Sequence, residues 1–365
     1  MSELYIGLMS GTSLDGADGV LVDFSGPKLR VVASATEVFS SDFRAELLAL
    51  NTPSHNELHR AALAANQLAG VYASVVQKLL YESGMAAKDI QAIGAHGQTV
   101  RHQPALGYTT QLNNPALLAE RTGIDVMADF RSRDVAAGGQ GAPLVPAFHQ
   151  SVFGQPNQTT LVLNIGGISN LSVLPANDAV LGFDCGPGNA LMDAWCQEHT
   201  GQRFDDGGRW AASGKLIPEL LASLLDEPYL AIPPPKSTGR DLFSSAWLAS
   251  KLKPFAALQP QDVQNTLTEF TARACIDCAG SYLNNSKELI VCGGGAFNDH
   301  LLQRLQAGLP TLKVVSSAAH GLPPLQVEAA AFAWLARQTV ERLPGNLPSV
   351  TGAAGLRMLG AIYPA

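Results

Sequence analysis

Charge is the scarcest commodity in this chain. Only 15% of its 365 residues are Asp, Glu, Lys or Arg, against roughly 25% in an average soluble protein, while 46% are hydrophobic. That balance excludes a disordered polyelectrolyte and leaves ample material for a buried core. Basic residues number 24 against 31 acidic ones, a formal net charge of −7. No basic field exists to attract nucleic acid or an anionic membrane, so neither is expected as a partner. No apolar run approaches the ~18 residues of a membrane span, and the opening MSELYIGLMSGTSLDG lacks the basic and apolar regions of a secretory leader. A cytoplasmic location is expected. Cysteine is sparse and odd in number: Cys185, Cys196, Cys275, Cys278 and Cys292 fit a reducing compartment better than a disulfide framework. Cys275 and Cys278 have CxxC spacing, but no second pair or histidine stands near them, and the surrounding apolar periodicity reads as a helix carrying buried thiols.

Familiar catalytic signatures are also missing. There is no GxxxxGK[ST], no GxGxxG between a strand and a helix, no HExxH and no GxSxG, because Gly11-Thr12-Ser13-Leu14 is followed by Asp15 rather than glycine. P-loop, dinucleotide-binding, zincin and α/β-hydrolase readings therefore lose support.

What is present is glycine in clusters, each beside a strand pattern. Residues 4–9, 19–24 and 29–34 read as three strands joined too closely to be anything but largely antiparallel. A helix follows from Asp42, and a second is predicted to open at Ser54 with Glu57 in a capping box. It continues through apolar residues at helical spacing from Leu58 to Leu79. A short strand at 91–95 ends in HGQT, a helical segment covers 115–122, and another strand covers 123–128. Near Thr159 the strand-turn-strand unit recurs. After it come a strand at 179–183, the turn DCGPGN, a helix over 190–196, helices near 215–225 and 262–283, a strand at 288–292, GGGAFN opening a helix, and a last helix near 327–337. Alternating strands and helices in both halves predict two α/β lobes with mixed sheets meeting at a cleft. The boundary is expected near residues 129–141, giving lobes of about 1–130 and 131–365, with a C-terminal tail that can pack on either lobe.

Three turns carry the candidate chemistry. The hairpin containing Gly11, Thr12, Ser13, Leu14, Asp15, Gly16, Ala17 and Asp18 offers backbone N–H groups, hydroxyls and carboxylates. It can cradle phosphate oxygens and turn Asp15 toward a magnesium ion, or it can be a polar hairpin with residues chosen for positive φ. Residues 164–170, with Gly166 and Gly167, form a second glycine turn. Residues 293–298, with Gly294, Gly295 and Asn298, form a third. Three such turns suit one nucleotide.

Seven segments, MSGTSLDGAD, GAHGQTVRH, ADFRSRDVAAGGQGAPLVPAFH, LNIGGISN, GFDCGPGNALMD, GGGAFN and VTGAAGLRMLGAIYPA, together closely resemble the anhydro-N-acetylmuramic acid kinase family of the actin/hexokinase ATPase superfamily. The resemblance spans nearly the whole chain. It implies a two-lobed actin/hexokinase-like (ribonuclease H-like) fold, ATP and Mg²⁺, a sugar substrate, a homodimer, and a reaction that opens 1,6-anhydro-N-acetylmuramic acid with water and phosphorylates O6. It places the first hairpin and Gly166-Gly167 on the phosphates, with Asp15 facing the metal, and Gly294, Gly295 and Asn298 at the adenosine.

Asp184 is then the expected base, aimed from a strand end into the cleft with Gly186 in the turn beside the sugar; its plain alternative is a helix N-cap. Asp193 is the lesser candidate. Arg131 is expected on the substrate's lactyl carboxylate, the alternative for Arg131 and Arg133 being an Arg/Asp network that pins a loop. His96, Gln98 and Thr99 suit sugar hydrogen bonds, although His96 also reads as a satisfied core histidine. Glu328 reads equally as a cleft-facing or a surface carboxylate. The competing functions are a kinase of another amino or anhydro sugar, and a non-catalytic actin-like ATP-binding regulator.

Overall fold

A computed structural model describes residues 3–11, 13–239, 242–255 and 257–365. The chain divides into two compact units, Met1–Val152 with Gln326–Ala365, and Phe153–Leu325. The final 40 residues thus join the first unit.

The first unit is built on β1 (Leu4–Met9), β2 (Gly16–Asp23), β3 (Arg30–Val38), β4 (Ala92–Ala95), β7 (Val126–Ala128) and β13 (Ala361–Tyr363), in the order β13-β7-β4-β1-β2-β3. As their close spacing requires, β1, β2 and β3 are antiparallel, while β4 and β7 continue the sheet in parallel from the other edge of β1. Residues 98–112, for which no element is expected from periodicity, form the antiparallel pair β5 (Gln98–Gln103) and β6 (Tyr108–Leu112). Helices α1 (Ser41–Ala49), α2 (Glu57–Ser83) and α3 (Pro115–Thr122) follow the predicted pattern, with one shift. Asn56, in the left-handed region, is the N-cap of α2. Ser54 lies outside the helix, and only its backbone N–H is held by Glu57, at 3.4 Å.

Strand β1 is buried on both faces, and two helices explain why. Leu8 pairs with Gly19, whose missing Cβ makes room for Val75 of α2. Gly7 and Gly94 admit the opposite layer, the helix Val327–Val340. A Cβ on Gly7 would stand 1.8 Å from Ala329 O, and one on Gly94 2.0 Å from Phe332 O. The alanine-rich sequence of that helix serves the same close approach, which leaves it buried nearly all round.

The second unit repeats the plan. Its strands β8 (Thr159–Ile165), β9 (Ile168–Leu174), β10 (Leu181–Pro187), β11 (Ser286–Cys292) and β12 (Lys313–Ser316) lie in the order β10-β9-β8-β11-β12. Again the first three form an antiparallel meander and the last two extend it in parallel. In each unit the strand order is third-second-first-fourth-fifth, the ribonuclease H-like plan, so the duplication legible in the sequence is one of topology.

In chain order the remaining helices are α4 (Ser132–Ala136), α5 (Val145–Phe153), α6 (Ala190–Thr200), α7 (Arg209–Ala212), α8 (Pro218–Leu225), α9 (Ser245–Leu252), α10 (Pro260–Gly280), α11 (Asp299–Gly308), α12 (the Val327–Val340 helix) and α13 (Pro348–Thr351). Helix α10 covers the second sheet with a broad buried face that includes Phe270 and Cys275. No helix among the described residues is long and apolar enough to cross a membrane.

Candidate active site

In the first unit the chain leaves β1 at Met9 and turns before entering β2 at Gly16. Leu14 donates its backbone N–H to Gly11 O at 3.2 Å, and Leu14 itself has φ 58°. A bulky residue seldom occupies that region. The buried Leu14 side chain, part of the hydrophobic core, anchors the strained turn. Thr12 lies outside the described residues. Asp15 is half exposed, with Arg44 Nη1 3.7 Å away. Asp18 stands at the open side of β2. Burial pushes its carboxyl above the usual range, the Thr36 hydroxyl at 2.7 Å opposes this, and the charge of Asp15 adds to it. Ala17 is fully buried, and a Cβ on Gly16 would meet Glu37 O at 2.4 Å, so the base of the hairpin is rigid.

Next to this hairpin the residue after β4 is His96, and the start of β5 supplies Gln98 and Thr99. Ser10 Oγ donates to Gln98 Oε1 at 2.5 Å, tying the two segments together. Gln111 Nε2 donates to Thr99 Oγ1 at 3.2 Å. Arg131 donates from Nε and Nη2 to His96 Nε2 at 3.1 and 2.9 Å, and from Nη1 to Gly141 O at 2.8 Å. A guanidinium has no acceptor, so His96 carries its hydrogen on Nδ1. Burial, and then the Arg131 cation, press the imidazole pKa down to about 3. Burial lowers Arg131 to about 10, opposed by Glu328 and Asp134, and it stays charged at neutral pH.

The loop-pinning role considered for the Arg/Asp run falls to Asp134. That fully buried carboxylate accepts from Gly141 N, Asn346 Nδ2 and Thr351 Oγ1, each at 2.8 Å, and so fastens the C-terminal segment. Arg133 is exposed. Glu328, in the first turn of α12, is open to solvent yet closely enough surrounded that its carboxyl is pushed up, Asp18 adding to the effect and Arg131 opposing it.

In the second unit, Gly166 and Gly167 sit at the β8–β9 turn. Their carbonyls accept the backbone N–H groups of Asn189, Gly188 and Ala190 at 2.7 to 3.2 Å, locking the turn onto the start of α6. The third turn packs on the second. A Cβ on Gly293 would lie 2.5 Å from Asn164 Oδ1, and one on Gly295 2.4 Å from Ile165. Residues 294–297 form one 3₁₀ turn rather than opening the helix directly. Asn298 then caps α11, accepting Leu301 N at 2.9 Å. Beside these turns lies a cavity of about 450 Å³ whose lining includes Asn189, Asp193, Gly294 and Asn298, with Phe204 and Phe297 as aromatic walls. Those rings are 59% and 55% exposed. Sequence reasoning missed both, since an isolated phenylalanine in a polar loop carries no periodic signal.

Asp184 is not at a strand end. Strand β10 runs on to Pro187, and the register shifts between Asp184 and Gly186, so Cys185 is the extra residue of a β-bulge. Such bulges re-aim a side chain without ending the strand. Nor does Asp184 cap α6, whose N-cap is Asn189. Gly186 is buried, its carbonyl accepting from Ser169 Oγ at 3.2 Å. Oδ2 of Asp184 accepts from Thr238 N at 2.9 Å and Ser237 Oγ at 3.0 Å, while its backbone is bracketed by Lys236 O and the Tyr229 hydroxyl. Burial raises the carboxyl, and Thr238, Ser237 and then Lys236 pull it back. None of these four partners is recoverable from the sequence, because they lie more than forty residues along the chain in a proline-rich loop.

The first unit carries a hydroxyl- and carboxylate-bearing hairpin and a neutral histidine held by arginine; the second carries a cavity beside packed glycine turns and a clamped carboxylate of raised pKa. The model of the family described as anhydro-N-acetylmuramic acid kinase matches residues 3–365. Proteins of that name from Variovorax paradoxus (strain S110) and Albidiferax ferrireducens are 65% and 64% identical, each match covering all of this chain and 99% and 100% of the relative. The one from Cupriavidus pinatubonensis is 58% identical over 99% of this chain and 98% of its own. With a family match across essentially its whole length and full-length relatives at this identity, the chain belongs to the anhydro-N-acetylmuramic acid kinase family.

Proposed function

We propose that this protein uses ATP and water to open 1,6-anhydro-N-acetylmuramic acid and phosphorylate the freed O6, giving N-acetylmuramic acid 6-phosphate in cell-wall recycling. The observation that carries the reading is the hold on Asp184. Both described hydrogen bonds to its carboxylate converge on Oδ2, which orients Oδ1 as the proton acceptor. A carboxyl raised above its usual range by burial is a stronger base once ionised, which suits proton abstraction from water. Asp184 takes that proton while the water oxygen bonds to C1. The C1–O6 bond breaks, O6 attacks the γ-phosphorus, and the bond to the ADP oxygen breaks.

The other residues bind and orient. The Gly11–Asp18 hairpin and the Gly166-Gly167 turn receive the phosphates, and the 450 Å³ cavity receives the adenosine, with Phe204 and Phe297 against the base. Arg131 has two N–H groups beyond its three hydrogen bonds to His96 and Gly141 and offers them to the lactyl carboxylate. His96 and Arg131 form one unit on the sugar side, with Gln98, Thr99 and Gly186 completing the sugar contacts.

A magnesium ion fits the donor set. Asp15 in the hydroxyl-bearing turn and Asp18 on β2 are two carboxylates close enough that the charge of Asp15 raises the Asp18 carboxyl, and magnesium characteristically takes one or two carboxylates together with substrate phosphates. Bound there, it would neutralise charge on the transferring phosphoryl group. A cytoplasmic location and a homodimer complete the reading; light scattering on the purified protein tests the assembly.

Reaction in ¹⁸O-water tests the chemistry. Label is expected at the anomeric hydroxyl and absent from the phosphate. Asp184→Asn is expected to lose about 10²–10⁴-fold in kcat, the usual worth of a positioned base. Label in the phosphate, or near-normal turnover by the variant, overturns the assignment.

A further inference from the structure

A second cavity of the Phe153–Leu325 unit, about 320 Å³, plays no part in the reaction above. Its lining includes Cys185, Cys278, Lys236, Leu230 and Tyr282. Cys185 is the bulge residue that follows Asp184. Its buried thiol is within hydrogen-bonding reach of the thiols of Cys275 and Cys278, which stand one turn apart on α10. Cys278 Sγ also lies 4.0 Å from Cys185 O. Three of the chain's five cysteines therefore meet where strand and helix pack. No group of three or more His, Cys, Asp or Glu side chains that could hold a metal ion is found among the described residues.

We propose that Cys278 is a modification site for small disulfides entering this cavity, and that Cys185 resolves the adduct into a reversible Cys185–Cys278 crosslink that shifts Asp184. The roles follow from surroundings. Cys278 is partly exposed in the cavity. The hydrogen bond from Cys185 and the Lys236 ammonium favour its thiolate, outweighing the opposing burial, and the thiolate is the attacking species. Cys185 is fully buried, and its thiol is pushed up by Cys275, by Cys278 and by burial. It is slow to react alone but is already in place.

The Cys278 thiolate attacks one sulfur of a small disulfide, forming a mixed disulfide and releasing one thiolate. Cys185, no longer facing a neighbouring thiolate, then gives up its proton and attacks Cys278 Sγ. The Cys185–Cys278 bond forms and the second small thiol leaves. One disulfide is reduced to two thiols while two cysteines are oxidised. Closing a thiol contact to a covalent bond draws the bulge toward α10. Asp184 is the adjacent residue, and the walls of the cavity include Lys236, whose carbonyl accepts the Asp184 N–H at 3.1 Å. The proposed effect on turnover rests on Asp184 being the base; the thiol chemistry does not.

The test is incubation of the full chain with oxidised glutathione, followed by free-thiol titration after denaturation, intact mass, peptide mapping and turnover, then dithiothreitol. The expected result is loss of two of the five thiols, a Cys185–Cys278 linked peptide without retained glutathione, and a fall in turnover of about 10²-fold, as for an ångström-scale misplacement, reversed by reductant. Cys278→Ser is expected to keep turnover through the same treatment, and Cys275→Ser to form the crosslink like the unaltered chain. Lys236→Gln is expected to shift the pH profile of Cys278 alkylation upward, which a purely structural lysine would not do. Retention of all five thiols, or equal inactivation of Cys278→Ser, overturns the proposal. A crosslink with unchanged turnover overturns its coupling to Asp184. If Cys278→Ser does not fold, peptide mapping of the crosslink and alkylation of Cys278 in the unaltered chain decide it alone.

Discussion

Arg131 presents two N–H groups to one nitrogen of His96, at 3.1 and 2.9 Å, so the cation fixes the histidine tautomer and adds to the burial that keeps the ring neutral. His96 follows β4 and Arg131 precedes α4, which means that the strand exit and the loop geometry must agree for the pair to form.

Replacing Arg131 breaks that agreement. Arg131→Lys retains the charge but cannot serve Nε2 and the Gly141 carbonyl with the same planar fork. With a hydrogen bond to a charged group worth ~1.5–3 kcal/mol, a loss of about 10- to 150-fold in kcat/KM for the sugar is expected. The KM for ATP should change little. Steady-state kinetics with each substrate varied in turn checks this, and a selective rise in the KM for ATP would contradict the assignment.

The clamp on Asp184 should be visible in the pH profile. The base must be ionised, and its donors favour the ionised form, so removing one raises its pKa further and moves the acid limb of kcat/KM to higher pH. Ser237→Ala is expected to move that limb up by about half a unit. A net hydrogen bond is worth ~0.5–1.5 kcal/mol, against 1.36 kcal/mol per pK unit, and Ser237 is solvent-exposed. Thr238→Ala, which keeps the backbone N–H, should leave the limb in place. A profile unmoved by Ser237→Ala would count against the clamp.

The two exposed phenylalanines make the proposed nucleoside site testable by itself. Stacking of a base on an aromatic ring is worth ~1–3 kcal/mol, so Phe297→Ala is expected to raise the KM for ATP by about 5- to 150-fold without changing that for the sugar. Nucleotide binding measured calorimetrically gives the same number without turnover. Unchanged affinity would move the adenosine elsewhere.

Acid should destabilise the fold through its buried histidines. His96 and His149 are 5% and 0% exposed, and both are pressed down to about 3, each mainly by burial. In the unfolded chain they accept protons near 6.5. Their contribution is therefore complete above about pH 6.5 and is lost as pH falls toward 3, at ~1.4 kcal/mol per pH unit for each. His149→Gln should remove one proton's worth of that slope, read as urea midpoints between pH 7 and 5 on the variant and the parent. An identical slope in both would show that His149 titrates normally.

Much of the chemistry was written in consecutive residues. The serines, glycines and acids of the Gly11–Asp18 hairpin, the paired strand-turn-strand units and the glycine turns at 166–167 and 293–295 are local patterns, because turn conformation and strand alternation depend on neighbours along the chain. They sufficed to predict two α/β halves and the residues at their turns. Position within an element was less legible. Asp184 reads as a strand end because Gly-Pro-Gly follows it, yet the bulge at Cys185 carries the strand three residues further. Ser54 reads as a cap, although the helix starts later at Asn56.

Partners distant in sequence were decided by tertiary structure alone. Ser237 and Thr238 hold an oxygen 53 and 54 residues away. Arg131 meets a histidine 35 residues earlier, and α12 returns from beyond the second unit to lie on Gly7 and Gly94 of the first. Those pairings depend on how the loops close and how tightly layers pack. A composition or a periodicity records what each segment can offer, and only the closed chain sets which segment faces it.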